Sequence, residues 1–139
     1  MKQYKKIIML TLLLMNTLGA KSIIYDIAVE NADGVTIYYY IRSENGRSVL
    51  QVTRREYDYS GYSGIVVIPE EVTYNSTTYK VTSINYGAFR DSKDLTSISI
   101  PNSVTTIWDD AFQGCTSLVS VNIPNSVTTM GGGVFQNCI

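Results

Sequence analysis

The chain contains no histidine. Without an imidazole there is no Ser-His-Asp triad, no Cys-His pair and no His-ligated zinc site. Paired acids occur at Glu70-Glu71 and Asp109-Asp110. Glycoside hydrolysis needs carboxyl groups converging across a substrate, whereas adjacent acids in turns face solvent. A calcium ion wants roughly six to eight oxygens, more than Asp109-Asp110 supplies. Gly131-Gly132-Gly133 lacks the Lys-Ser/Thr that follows in a phosphate loop. The residues left are of types that bind rather than react. They are the small polar Ser97, Ser99, Ser120 and Asn122, and the aromatics Tyr86 and Trp108. No catalytic residue, cofactor or metal is expected.

Cys115 and Cys138 stand 23 residues apart, and that interval leads to the elements that position everything else. Ile84-Asn85-Tyr86-Gly87-Ala88-Phe89 returns as Ile107-Trp108-Asp109-Asp110-Ala111-Phe112, then as Met130-Gly131-Gly132-Gly133-Val134-Phe135. Between these, Leu95-Thr96-Ser97-Ile98-Ser99-Ile100-Pro101 matches Leu118-Val119-Ser120-Val121-Asn122-Ile123-Pro124. A period in this range with an L-x-x-L-x-L core marks a leucine-rich-repeat solenoid. Ile98 and Ile100 fall on one face of a short strand, Ser97 and Ser99 on the other. Proline ends each strand because it has no N–H for the ladder. Val104 and Ile107 fill the return side, and Ala88-Phe89, Ala111-Phe112 and Val134-Phe135 enter a tight or short helical turn.

Coil stacking gives the two cysteines a choice. Secretion and a coil spacing near the usual Cα separation permit a disulfide. A ladder of buried thiols, continued by Ser92, is the favoured reading, since cysteine buries readily. Tyr86 and Trp108 are read as equivalent positions in successive turns, where stacked aromatics can cradle a sugar ring; Gly131 breaks that series.

The pattern Ile107-x-x-x-Ala111-Phe112-x-x-Cys115-x-x-Leu118-x-x-Val121-x-Ile123-Pro124-x-Ser126-Val127 resembles the BspA-like, or Treponema pallidum-type, leucine-rich repeats of bacterial surface proteins. The resemblance covers residues 65–139; Ser92 in place of a first Cys and Met130 to Val134 in the last turn depart from it. It implies attachment to host matrix proteins or to other cells, through the strand face carrying Ser97, Ser99, Ser120 and Asn122. Glycan capture by Tyr86, Trp108 and the loop from Tyr57 to Tyr62 is the alternative, and a spacer joined to an enzyme or anchor beyond Ile139 is a third.

Residues 21–64 read as a β-rich N-terminal cap of hairpins, because β-branched and aromatic runs alternate with Asp33-Gly34 and Asn45-Gly46. A solenoid's first coil needs such a cover over its apolar end. Tyr57 to Gly64 is a Tyr, Ser and Gly linking loop. Ile65-Val66-Val67-Ile68-Pro69 then opens the solenoid of residues 65–139, with an extra hairpin tip at Tyr74 to Tyr79. The last coil stops short of its leucine, so the array is expected to continue.

Residues 1–20 read as a signal peptide. Lys2, Lys5 and Lys6 form the basic region, Ile7 to Leu14 the apolar run and Gly19-Ala20 the cleavage site. That run is too short to span a bilayer. From Lys21 onward the chain holds 8 basic and 12 acidic residues, with no basic stripe for nucleic acid. Mass spectrometry of exported material is expected to show a chain that begins near Lys21; exported protein with Met1 still attached would refute the assignment.

Overall fold

The computed structural model describes residues 25–55 and 61–139. The expected signal, residues 1–20, and Tyr57-Asp58-Tyr59-Ser60 of the linking loop lie outside them. β1 (Ile27–Glu30), β2 (Thr36–Glu44) and β3 (Arg47–Thr53) form an antiparallel meander. Asn31 shapes the first turn: its Oδ1 accepts from the amides of Asp33 and Val35 at 3.0 and 2.9 Å, so the side chain imitates a backbone turn. Asn45 and Gly46 close the second with φ of 50° and 76°, the left-handed pair a two-residue hairpin requires. Ile37 and Tyr39 point inward from β2 and are buried.

β4 (Gly64–Val67) is the first repeat strand. The longer return after it holds a hairpin of β5 (Glu71–Tyr74) and β6 (Thr77–Ile84), turning at Asn75 and Ser76 with φ of 47° and 63°. β7 (Leu95–Ser99), β8 (Thr106–Ile107), β9 (Ser120–Asn122) and β10 (Thr129–Met130) complete the chain. The Ala-Phe segments form tight turns, and no helix occurs among the described residues.

Each coil contributes one strand to each of two sheets. β4, β7 and β9 make a parallel sheet on one side. The return side carries the second, in the order β1-β2-β3-β6-β8-β10 with β5 attached to β6. Sequence alternation indicates the first sheet; the second exists because each return passes the last at the same height. Ile84 pairs with Ile107, and Ile107 with Met130. The N-terminal hairpins join this second sheet through a parallel β3–β6 pairing.

A column of rings runs through the molecule. Tyr25, Tyr38, Tyr62, Phe89, Phe112 and Phe135 follow one another with centroids 4.8, 6.2, 4.6, 5.1 and 5.3 Å apart. The phenylalanines are nearly parallel, at 14° and 5°, because the turn beneath each is a copy of the last. The Phe89 and Phe112 amides donate to the carbonyls of Ala111 and Val134, at 2.8 and 2.9 Å. Left-handed backbone recurs at Gly87, Asp110 and Gly133, and again at Asp91, Gly114 and Asn137. These are residue types that tolerate that conformation. Gly114 has a second reason, since a Cβ there would strike the Asp91 side chain one coil earlier.

Phe112 is fully buried between two rings, so Phe112→Ala is expected to destabilise the protein by about 3–5 kcal/mol. Thr105 is exposed, and its hydroxyl reaches the Thr82 carbonyl only at 3.5 Å, whereas the amide that donates there at 2.9 Å is kept in any substitution by Ala. Thr105→Ala should therefore shift the urea midpoint little. Equal shifts for the two variants would mean that the facing of the repeat is wrong.

Candidate binding surfaces

Two rows of side chains cross the solvent face of the β4-β7-β9 sheet. Pairing aligns Ile65 with Ser97 and Ser97 with Ser120. It likewise aligns Val67 with Ser99 and Ser99 with Asn122. Val66 and Ile98, between the rows, are buried, and Val121 is half-buried. Ser97, Ser99, Ser120 and Asn122 thus share one face, the first pair half-buried and the second exposed. Among the described residues none of these four side chains forms a hydrogen bond, so their donors and acceptors are open to a ligand. Neither row contains a titratable group.

Both rows begin with a residue that the reading of the serines passed over. Ile65 is 65% exposed and Val67 41%. The signal was present in Ile65-Val66-Val67-Ile68: once Val66 and Ile68 point inward, the pleat sends Ile65 and Val67 outward. An all-apolar strand hides its facing, whereas Ser-Ile-Ser-Ile displays it.

Tyr86 and Trp108 do not form the expected pair. The β6–β8 register aligns Ile84 with Ile107, which sets Trp108 beside Asn85 and Tyr86 beside Asp109. The backbone agrees, with Trp108 N–H donating to the Ile84 carbonyl at 2.9 Å and Gly87 N–H to that of Asp109 at 3.1 Å. The two aromatics are offset by one residue. Tyr86 instead accepts at its hydroxyl from Arg90 Nη1 at 3.3 Å. The same guanidinium group lies 3.6 Å from Asp110. Trp108, 46% exposed, is placed outside because Ile107 before it is inside.

The thiols form a ladder and are unbonded to each other. Cys115 Sγ donates to the Phe89 carbonyl at 3.0 Å, and Cys138 Sγ to that of Phe112 at 2.9 Å. Ser92 occupies the preceding rung, buried, and its Oγ accepts from the Tyr62 amide at 3.0 Å. Burial pushes the Cys115 thiol up to about 12, helped by the neighbouring Cys138. A thiol kept protonated is a poor nucleophile, so Cys115 serves packing rather than chemistry. Among the described residues no group of three or more His, Cys, Asp or Glu side chains could hold a metal ion.

A sequence profile described as "BspA type Leucine rich repeat region (6 copies)" matches residues 69–139. Among solved structures, a leucine-rich repeat protein from Bacteroides ovatus is 36% identical, over 73% of this chain and 26% of its own, with a TM-score of 0.61. A leucine rich cell surface protein from Faecalibacterium prausnitzii is 28% identical, over 81% and 28% respectively, also at 0.61. The leucine-rich repeat protein of T. pallidum is 25% identical, over 72% and 43%, at 0.59. This chain spans about a quarter of the length of the first two. No curated protein matches it.

The thiol ladder has a consequence that needs no partner. Above the ordinary thiol value of 9.0 an unfolded chain releases the Cys115 proton, while the folded chain holds it to about 12. The folded state then binds more protons, so stability falls as pH rises through that window. Cys115→Ser keeps a donor for the Phe89 carbonyl and removes the titration. Urea midpoints measured from pH 8 to pH 11 should fall less steeply in this variant than in the parent; identical slopes would show that Cys115 is not held protonated.

Proposed function

The chain belongs to the BspA-type leucine-rich-repeat family, and we propose that it is a non-catalytic binding protein, secreted or held at the cell surface. In this reading residues 1–20 are the signal, 21–64 the cap and 65–139 the binding array. Its partner is a protein of the host matrix or of another cell, engaged through the β4-β7-β9 face. The observation that carries the reading is the pair of in-register, uncharged rows on that face, whose alternate residues are buried. Ser97, Ser99, Ser120 and Asn122 supply donors and acceptors for hydrogen bonds and can be changed without opening the core. The Faecalibacterium relative is a cell surface protein, which supports the location.

A second reading, glycan binding, is favoured by one feature. Trp108 exposes nearly half of its surface on the return side, and an indole face is a platform for a sugar ring. Tyr86, engaged with Arg90, adds little to it.

Replacing Ser99 and Asn122 together with Lys should leave the circular dichroism spectrum unchanged. Binding to an immobilised panel of matrix proteins should weaken by about tenfold or more, through bulk and unpaired charge. Trp108→Ala should leave that binding intact. The reverse result, with loss of signal on a glycan array from Trp108→Ala alone, would move the site to the return side.

A further inference from the structure

The strand face is not uniform, and the difference lies at its first strand. Every residue of the two rows beyond β4 is Ser or Asn, whereas both residues on β4 are branched aliphatics open to solvent. Water-facing positions of a sheet do not need Ile and Val; Thr fills them with the same β-branch and no apolar cost. The exposures of Ile65 and Val67, 65% and 41%, are therefore not explained by strand formation. Nor does packing explain them, since the buried side of β4 is already filled by Val66. A group that covered them would leave water as it did so.

Charge limits what that group is. The rows carry no acid or base, and from Ala111 to Ile139 the chain has no Asp, Glu, Lys or Arg at all. A charged side chain laid over Ser97, Ser99, Ser120 and Asn122 would lose hydration and meet no opposite charge. An uncharged amide or hydroxyl would exchange its water for the open serine and asparagine groups at little net loss.

We infer that Ile65 and Val67 are the anchor of the binding face, and that its partner is an uncharged polypeptide segment lying across the strands. Such a segment sets a branched aliphatic or aromatic side chain on Ile65 and Val67. Its amide or hydroxyl groups then lie over Ser97 and Ser99, followed by Ser120 and Asn122. This rests on the strand-face reading above and assigns within it where the affinity lies and what the partner is made of. Apolar contact at one end provides the affinity; hydrogen bonds along the rows fix direction.

The probe is a phage-displayed library of random dodecapeptides, selected on the folded chain. Enriched peptides should be rich in Leu, Ile, Val, Phe, Tyr or Trp and poor in Asp, Glu, Lys and Arg. Their affinity should fall about tenfold or more on the double variant I65T/V67T, which keeps β-branched side chains and hence the strand. Thermal melting checks that the fold survives. If the selected peptides are charged, or bind I65T/V67T as well as the parent, the anchor is wrong. Loss on S99K/N122K with no loss on I65T/V67T overturns the anchor and leaves the strand-face reading standing. No loss on either double variant overturns both.

Discussion

Like stacking on like, one coil apart, is the constraint on which the structure depends. A ring column can run through a solenoid only if each coil sets its ring at the same height and angle. That requires identical turns, and identical turns require a residue that accepts left-handed backbone at two fixed positions per coil. Gly, Asp and Asn fill those positions throughout. Each buried ring contributes roughly 1.5–3 kcal/mol by leaving water, and none can do so without its neighbours. At its N-terminal side the column changes chemistry. Tyr62 stacks on Phe89 with its ring and uses its hydroxyl to donate to the Thr53 carbonyl at 2.7 Å and to accept from the Tyr38 amide at 3.1 Å. One side chain thus ends the phenylalanine stack and ties it to β2 and β3. Burial raises its ionisation well above the usual tyrosine value, which keeps the donor proton in place.

The two sheets follow from the same repetition, and the N-terminal hairpins meet them differently. β3 continues the return-side sheet by parallel pairing with β6, with one register shift between Leu50 and Gln51, so the first return also meets backbone. Among the described residues no N-terminal strand pairs with β4 on the other side; the Asn31 side chain reaches over and donates to the Val67 carbonyl at 2.9 Å. The strand sheet therefore begins abruptly, and its first strand is the one that carries exposed aliphatics.

Much of this was written in the sequence, in some places more plainly than in others. Alternation at Ser97-Ile98-Ser99-Ile100 declared its facing, and the left-handed signal at Asn45-Gly46 declared its hairpin. The insertion at Tyr74 to Tyr79 was legible as a hairpin tip, although Asn75-Ser76 is a weaker turn pair than Asn-Gly. The second sheet was not legible, because β8 and β10 have two residues each and form only when a neighbouring return supplies the ladder. The exposed face of β4 was hidden by four consecutive apolar residues, which show no period. The misalignment of Tyr86 with Trp108 had a different cause. The backbone register is set by Ile84 and Ile107, and Tyr86 follows its isoleucine by two residues whereas Trp108 follows its own by one.

Repetition also sets how far the cap and the coils can act separately. If the ring column is what joins them, neither folds away from the other. Native-state hydrogen exchange tests this directly, by comparing the amides of Val52 in the cap with those of Phe89 and Phe112 in successive turns. The column predicts one shared opening free energy for all three, equal to that of global unfolding, and a parallel drop in all three when Tyr62 is replaced by Ala. Exchange of Val52 through a separate, lower-energy opening, with Phe89 and Phe112 still protected, would contradict it.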